Sequence, residues 1–159
     1  LCLYCSCRAM DKVDAFKLRI INDKLRLYKH TIPSSTIINK DNTFSFALFE
    51  AEKSLNSFIN KGLKVIEMAS ANTTLTSIDH IPNVVYYSVI PWVSFTSFTN
   101  AHNKGVGEDI PRIVFGKYFN EADTTKMPVA VEVHHALIDG YDVGLYYKHL
   151  QEEMANITI

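Results

Sequence analysis

The sequence MPVAVEVHHALIDG, residues 127–140, combines a strand pattern with a cluster of ionisable side chains. Valines recur at alternate positions from Val129, which is the two-residue period of a β-strand. This alternation directs His135 to the valine face and His134 to the other face. After Gly140, apolar residues recur at helical spacing as far as residue 154. The stretch therefore predicts a strand, a tight loop and a final helix.

Outward from this stretch, strand patterns and helix patterns share the chain. Apolar residues at three- and four-residue steps predict a helix over residues 52–68, and similar spacing predicts a helix that ends near Val13. Alternating or β-branched runs predict strands at residues 15–21, 25–28, 36–38, 43–49, 84–90, 113–119 and 129–134. The length of 159 residues fits one domain.

The composition is that of an ordinary globular protein. Hydrophobic residues make up 47% of the chain and charged residues 21%, with 16 Lys and Arg against 17 Asp and Glu. A net charge of -1 provides no broad basic surface, which argues against a nucleic-acid partner. No apolar run approaches the ~20 residues that span a bilayer, so we expect a soluble protein without a membrane partner.

The cysteines indicate a cellular compartment. Cys2, Cys5 and Cys7 are too close together to form a disulfide framework across the fold. The opening segment LCLYCSC lacks the positive stretch and the cleavage pattern of a signal peptide. We therefore expect a cytoplasmic protein with reduced thiols that pack in a helix.

His135 and Asp139 form a candidate catalytic arrangement. Histidine has an unperturbed pKa of ~6.5, which suits removal of a proton near neutral pH. A carboxylate four positions later can orient the ring or hold the loop. The residues alone leave a second interpretation open, in which two half-buried sheet histidines precede a helix-capping Asp. A metal site that includes His134 is disfavoured, because the strand period separates the two rings.

The segment HHALIDG, residues 134–140, resembles the HHxxxDG signature of the chloramphenicol acetyltransferase family, within the coenzyme A-dependent acyltransferases. Four more segments resemble that family in the same order: LRI at 18–20, NTFSF at 42–46, SVIPWVSFTSF at 88–98 and FGKYF at 115–119. The resemblance implies an α+β fold, with a mixed β-sheet and helices packed mainly on one face. It treats residues 1–159 as a single domain that lacks the family's N-terminal strand and first helix.

The resemblance implies roles for three residues. His135 matches the general base that takes a proton from an acceptor hydroxyl, whose oxygen then attacks the acetyl-CoA thioester without an acyl-enzyme. Ser88 matches a hydroxyl that donates to the developing oxyanion, where such a donor contributes about 3 kcal/mol. A strand serine that bonds only the backbone is the alternative. Asp139 matches a structural residue that holds the active-site loop, and its Arg partner belongs to the missing portion.

Three further residues resemble coenzyme A contacts of the family. Trp92 and Tyr118 would cover adenine or pantetheine, and the Lys117 ammonium would suit a phosphate. Core packing is the alternative for Trp92 and Tyr118, and a plain surface charge is the alternative for Lys117. The implied co-substrate is acetyl-CoA, with no metal.

The acceptor pocket is where the sequence departs from the resistance enzymes of the family. The resemblance assigns this pocket to Phe98, Asn100, His102, Arg112 and Val114. Resistance enzymes carry an apolar run after the SFTSF segment, an aliphatic residue in place of Arg112 and a Thr in place of Val114. The more polar wall and the lost hydroxyl predict that chloramphenicol is a poor acceptor or not the physiological one.

The sequence as a whole predicts an acetyl-CoA-dependent O-acetyltransferase that acts on chloramphenicol or a similar small alcohol. The resemblance also implies a homotrimer, in which the histidine of one subunit meets the acceptor pocket of its neighbour. The alternative is a truncated, catalytically impaired member that only binds ligands or forms the trimer.

Overall fold

The computed structural model describes residues 1–71, 78, 80–101 and 108–157. Their elements follow in this order: α1 Cys2–Asp11, a 3-10 turn Asp14–Lys17, β1 Leu18–Ile21, β2 Lys24–Leu27, β3 Ile32–Ile38, β4 Phe44–Leu48, α2 Leu55–Ala71, β5 Val84–Val89, β6 Arg112–Phe115, β7 Phe119–Glu121, β8 Thr124–Lys126, β9 Val129–Glu132 and α3 Gly140–Ala155. Among these residues, no helix is long and apolar enough to cross a bilayer.

A mixed sheet of five strands lies at the centre of the fold, in the order β4-β3-β5-β6-β9. Strand β5 runs parallel to β3 and β6, whereas β4 and β9 pair antiparallel with their neighbours. Parallel neighbours need a long crossover connection, and the one from β3 to β5 contains α2. The hairpins β1-β2 and β7-β8 stand outside this sheet. The architecture confirms the predicted α+β class.

The helices pack on one face of the sheet. Val85 and Tyr87 of β5 join the main core, together with residues of α1, α2 and α3. Ile113 of β6 lies in register with Tyr87 and is fully buried in the same core. Removal of apolar surface from water is the dominant favourable term in folding, so this helical face stabilises the domain.

The opposite face of the sheet is covered differently. A second, small cluster of Ile78, Val84 and Ile110 buries the region where β5 begins. Farther along the same face, Ser88 lies in register with Val114 of β6. Within the described ranges, no helix residue belongs to this small cluster. At Ser88 and Val114, this face of the sheet borders a polar cavity.

The last helix buries the face that its apolar spacing predicts. Tyr146 and Leu150 are almost fully buried, and Val143, Tyr147 and Met154 pack beside them. The Tyr146 ring tilts against Phe16, with ring centroids 5.1 Å apart. These contacts dock α3 on the main core, directly after the loop that carries the paired histidines.

The buried face of α2 agrees only in part with the predicted one. Phe58 is one of the periodic apolar positions and is buried as predicted. Leu63 is another, yet its side chain is 60% exposed, and Gly62 is buried instead. A Cβ on Gly62 would lie 3.5 Å from the Phe49 ring, so the helix approaches the sheet closely on that side. Spacing identifies a helix but does not say which of two adjacent apolar stripes meets the sheet.

Two strands are shorter than predicted, because one begins late and the other ends early. The run predicted over 15–21 begins with the 3-10 turn, and only residues 18–21 form β1. The strand predicted over 129–134 ends at Glu132. The carbonyl of His134 instead accepts from the backbone N–H of Leu137 at 2.9 Å and of Ile138 at 3.1 Å, which bends the chain into a turn.

The strand predicted over 113–119 is divided at Gly116 into β6 and β7. The Gly116 N–H donates to the Pro128 carbonyl at 2.9 Å. A Cβ on Gly116 would lie 2.7 Å from the Pro128 ring and 2.8 Å from the Phe95 ring. Any other residue would force these neighbours apart, so Gly is required where the chain leaves the sheet.

The LRI segment carries a buried cation. Arg19 is 1% exposed and donates to the carbonyls of Phe16 at 3.0 Å, Leu18 at 2.6 Å and Val84 at 2.7 Å. Burial lowers the Arg19 pKa to about 10, because desolvation disfavours the charged form. Charge-assisted hydrogen bonds thereby fasten the β1-β2 hairpin to the start of β5.

Candidate active site

Ser88 lies near the carboxyl end of β5, the central strand of the sheet. Its side chain is half-buried, and Val114 is its partner on β6. The preceding residue, Tyr87, belongs to the main core, so the strand period directs Ser88 to the face away from the helices. The sheet therefore holds this hydroxyl on rigid backbone.

A cavity of about 190 Å³ opens beside Ser88 on that face. It brings together four sequence-predicted residues, which are Ser88, Asn100, Arg112 and Val114. Sequence reasoning missed the rest of the wall, which consists of Ser34, Thr36, Phe46, Tyr86, Tyr87, Ala101 and Ile113. The only sequence signals for these were the NTFSF segment for Phe46 and the polar run of β3.

Asn100 is fastened to the sheet by Glu132 at the end of β9. The Oε2 atom of Glu132 accepts from the Asn100 backbone N–H at 3.1 Å and also from the Asn100 Nδ2 group. Glu132 lies in register with Arg112 on β6, so the fastening point adjoins the cavity. Hydrogen bonds to a carboxylate are stronger than neutral ones, and these two hold the Asn100 wall in position.

Ser34 brings a buried hydroxyl to the cavity. It is 1% exposed and lies in register with Tyr86 of β5. Within the described part of the chain, its Oγ atom has no hydrogen-bond partner. An unpaired buried hydroxyl costs about 1 to 3 kcal/mol. The sequence signal for Ser34 was weak, since this residue stands in IPSST, a polar run in the buried first half of β3.

The paired histidines lie in the turn after β9 rather than within the strand. His134 is half-buried, and its Nδ1 atom has no hydrogen-bond partner among the described residues. His135 is exposed and does not line the cavity beside Ser88. Because the strand ends at Glu132, the expectation that strand alternation orients His135 is wrong.

Asp139 caps the amino terminus of α3. Its Oδ1 atom accepts from the backbone N–H of Tyr141 at 2.8 Å and of Asp142 at 3.1 Å, and the Asp142 side chain accepts from the Asp139 N–H at 3.3 Å. This reciprocal capping box contributes about 1 kcal/mol. Asp139 makes no ion pair with any described residue. Its visible role is to fix the joint between the histidine turn and the helix.

The three residues that resemble coenzyme A contacts lie on the surface. Trp92 is 72% exposed and Tyr118 is 68% exposed, so the core-packing alternative for these two residues is wrong. The Lys117 N–H donates to the Val93 carbonyl at 2.8 Å, which joins the segment of Trp92 to that of Lys117 and Tyr118. Tyr118 also borders a groove of about 660 Å³ between the β7-β8 hairpin and α3.

The two remaining residues assigned to the acceptor pocket have different outcomes. Phe98 is half-buried and packs on Phe95 with ring centroids 5.5 Å apart, and it does not line the cavity. His102 lies outside the described residues. Within the described ranges, no group of three or more His, Cys, Asp and Glu side chains could hold a metal ion.

A buried polar network lies beneath Ser88, on the helical side of β5. The Ser6 Oγ atom lies 2.9 Å from the Tyr87 hydroxyl and 2.7 Å from the Tyr146 hydroxyl, which links α1, β5 and α3. Burial raises the pKa of both phenols and raises the pKa of the adjacent Cys7 thiol to about 12. All these groups are neutral at physiological pH and act as structural ties.

Comparison with solved structures gives the class of the fold. A chloramphenicol acetyltransferase superposes with a TM-score of 0.80 and 24% identity, over 96% of this chain and 75% of that chain. The dihydrolipoamide acetyltransferase E2p of Azotobacter vinelandii superposes with a TM-score of 0.71 and 16% identity, over 97% of this chain and 67% of that chain. These likenesses define the fold as one that known acetyltransferases use.

Sequence comparison narrows the class to one family. The chloramphenicol acetyltransferase family model matches residues 1–151. A chloramphenicol acetyltransferase of Bacillus pumilus is 34% identical over 155 residues, covering 94% of this chain and 69% of the relative. Another, from Clostridium perfringens, is 31% identical over 153 residues, covering 94% of this chain and 74% of the relative. The chain belongs to the chloramphenicol acetyltransferase family, which is a family of acyltransferase enzymes.

Proposed function

We propose that this protein transfers an acetyl group from acetyl-CoA to a hydroxyl of chloramphenicol or a similar small alcohol. One observation carries the proposal: in a chain of this family, the cavity gathers Ser88 with three residues that sequence reasoning assigned to the acceptor pocket. The cavity is polar enough to orient an alcohol and adjoins a hydroxyl that can donate to an oxyanion.

The proposed mechanism is direct transfer by general-base catalysis. The neutral imidazole of His135 takes the proton of the acceptor hydroxyl as the oxygen attacks the thioester carbonyl. The carbonyl oxygen becomes negative, and the Ser88 hydroxyl donates a hydrogen bond to it. The tetrahedral intermediate collapses, the carbon–sulfur bond breaks, and the thiolate of coenzyme A takes the proton from the imidazolium. The products are the acetyl ester and free coenzyme A.

The separation of His135 from the cavity supports an active site shared between two copies of the chain. In the isolated chain, His135 is exposed in its turn, as expected for a residue that acts on a neighbouring subunit. The family resemblance implies a homotrimer with the histidine and the acceptor pocket on different subunits. We propose this arrangement, with the His135 turn of one copy against the Ser88 cavity of the next.

We propose that Trp92, Lys117 and Tyr118 contact coenzyme A. Their exposure leaves an indole, an ammonium and a phenol available on one connected surface segment. An aromatic ring suits adenine or pantetheine, and an ammonium suits a phosphate.

Free thiols at Cys2, Cys5 and Cys7 support a reducing cytoplasmic setting for such an enzyme. We propose that the enzyme works as one domain.

The composition of the cavity favours a more polar acceptor than chloramphenicol. Asn100 and Arg112 contribute polar groups, and Val114 has no hydroxyl to place a water near the reacting atoms. A polar group that loses its partner when an aromatic drug binds costs about 1 to 3 kcal/mol, which is roughly tenfold in affinity or more. Chloramphenicol should therefore be acetylated with a high KM.

The test follows thiol release from acetyl-CoA by the purified protein, with chloramphenicol and a panel of other small alcohols, and identifies the ester by mass spectrometry. We expect measurable transfer to chloramphenicol and faster transfer to at least one more polar alcohol. Efficient turnover at micromolar chloramphenicol would overturn the acceptor assignment. No transfer to any alcohol, with acetyl-CoA bound, would instead support the impaired member that the sequence left as an alternative.

A further inference from the structure

Ser6 on α1 joins the two elements that carry the proposed catalytic groups. Its Oγ atom lies 2.9 Å from the hydroxyl of Tyr87 on β5 and 2.7 Å from the hydroxyl of Tyr146 on α3. Ser88 directly follows Tyr87 on β5, and α3 begins at Gly140, at the end of the histidine turn. One serine hydroxyl therefore connects the strand of the oxyanion donor with the helix that follows the base.

This polar network is closed to other molecules. Ser6 and Tyr146 are 0% exposed, and Tyr87 is 2% exposed. Neither a substrate nor a second copy of the chain reaches these hydroxyls, so their hydrogen bonds act within one chain. The Cys7 Sγ atom, also on α1, lies 3.9 Å from the Tyr87 hydroxyl. The network therefore belongs to the frame of the site and not to its binding surface.

Hydrogen bonds constrain these elements more narrowly than packing alone does. A hydrogen bond weakens steeply as its angle departs from linear, whereas apolar contact is non-directional. Both bonds of the network share the Ser6 Oγ atom, so a rotation of β5 against α3 would weaken at least one of them. The three hydroxyls thus set the angle between the strand and the helix.

This angle matters because the proposed site is shared between copies of the chain. In the proposed trimer, each chain presents His135 to one neighbour and its Ser88 cavity to the other. A ring of identical chains closes when every copy holds these two surfaces at the same angle. A wrong angle would displace the base of one copy from the oxyanion donor of the next, and a misplacement of about 1 Å can cost about a hundredfold in rate.

We infer that Ser6 is a positioning residue for acetyl transfer, which acts through Tyr87 and Tyr146 to align Ser88 with the base of a neighbouring copy. Because Ser6 touches no substrate, its loss should change kcat and not the binding of acetyl-CoA. The inference rests on the proposed function for the reaction that is measured, whereas the rigidity of β5 and of the histidine turn can be measured without any reaction.

A variant without the three hydroxyls separates positioning from stability. Ser6→Ala alone leaves two buried phenols without this partner, so it should lower both kcat and the melting temperature. The combined variant Ser6→Ala, Tyr87→Phe and Tyr146→Phe keeps the packing, so its melting temperature should return to within about 3 °C of the unchanged protein. Its kcat should stay about tenfold lower, with KM for acetyl-CoA within about twofold.

Tyr4→Phe is the matched control. The Tyr4 hydroxyl also extends from α1 and its side chain is also buried, but it donates to the Lys53 carbonyl at 3.1 Å, outside β5 and α3. The variant loses one tyrosine hydroxyl and no packing, as each phenylalanine substitution in the combined variant does. It should leave kcat within about twofold of the unchanged protein.

Amide hydrogen exchange, followed by mass spectrometry, measures the rigidity of the two elements directly. In the combined variant, we expect exchange about tenfold faster than in the unchanged protein in β5, residues 84–89, and in the histidine turn, residues 133–139. Exchange in α2, residues 55–71, should not change, because this helix carries none of the three hydroxyls.

The outcomes separate this inference from the proposed function. A kcat that recovers together with the melting temperature in the combined variant would mean that the network only stabilises the fold, and it would overturn the inference. Unchanged exchange in both segments would do the same. If the unchanged protein transfers no acetyl group, the proposed function fails, and exchange alone decides: faster exchange confined to the two segments would uphold the positioning role of Ser6.

Discussion

The two faces of the central sheet differ in what they do with consecutive residues of the same strand. On β5, Tyr87 points into the helical core and is 2% exposed, whereas Ser88 points into the cavity on the other side. Tyr87 is tied to α1 and α3 through Ser6. The contacts on the helical face thus hold the backbone of β5 in place, and the cavity face carries the side chain that is proposed to act in catalysis.

This difference separates two kinds of mutation. A change on the helical face removes packing from a closed core and should lower the free energy of unfolding. A change on the cavity face borders empty space and should alter catalysis or substrate preference with a smaller effect on stability. The predictions that follow test this separation, beginning with the largest effect.

His135→Ala should lower kcat for acetyl transfer by about a thousandfold or more, because general-base catalysis contributes a rate enhancement of this order. His135 is exposed in its turn, so the free energy of unfolding should change by less than about 0.5 kcal/mol. Steady-state thiol release and urea unfolding measure the two quantities.

His134→Ala is the adjacent control for the base. His134 is half-buried, so its loss should mainly affect stability. If both variants lose activity equally while both keep the stability of the unchanged protein, the assignment of a single base at His135 is wrong.

Ser88→Ala should lower kcat by about 100-fold, equivalent to about 2.7 kcal/mol of lost transition-state stabilisation, with little change in acetyl-CoA affinity. Ser35→Ala, on the helical side of β3, should leave kcat within about twofold in the folded protein. A Ser88→Ala effect confined to KM would make this hydroxyl a ground-state contact instead.

A pair of valines compares the two faces directly. Val85 and Val114 are 0% and 1% exposed, but Val85 belongs to the main core and Val114 lines the cavity. Val85→Ala should cost about 2 to 3 kcal/mol, since a closed core keeps the resulting void. Val114→Ala should cost about 1 kcal/mol less and should change KM for the acceptor. Equal losses in urea unfolding, with no change in KM, would contradict the comparison of the faces.

The smallest expected effect concerns the joint between the histidine turn and α3. Asp139→Ala should destabilise the protein by about 1 kcal/mol, because two backbone N–H groups lose their cap. Asp139→Asn keeps a capping oxygen and should recover most of this loss. Equal melting temperatures for the Ala variant and the unchanged protein would show that the capping box does not stabilise the joint.

Much of this fold could be predicted from local patterns and from the order of the family motifs. Tyr146 and Leu150 recur at helical spacing and are buried as expected. Spacing failed at α2, where Leu63 stays exposed, because periodicity does not identify the neighbour of a helix. It also failed at Gly116, where the break between strands depends on contact with Phe95 and Pro128.

The candidate site shows the same limit. The motifs identified Ser88 and the polar departures Asn100 and Arg112, and the cavity gathers all three. Ser34 was missed, because its unpaired hydroxyl is a property of a wall built from strands far apart in the chain. The Glu132 contact to Asn100 was missed for the same reason, since it joins residues that only the tertiary structure brings together.

The central claim is that His135 of one copy works with the Ser88 cavity of another, and mixed oligomers test it most directly. The inactive variants His135→Ala and Ser88→Ala are refolded together in equal amounts and assayed by thiol release from acetyl-CoA. If sites form between copies, random mixing leaves about a quarter of them with both residues intact, so the mixture should recover about a quarter of the unchanged activity. A mixture no more active than the mean of its two components would contradict the claim, because it would mean that each site uses His135 and Ser88 of the same chain.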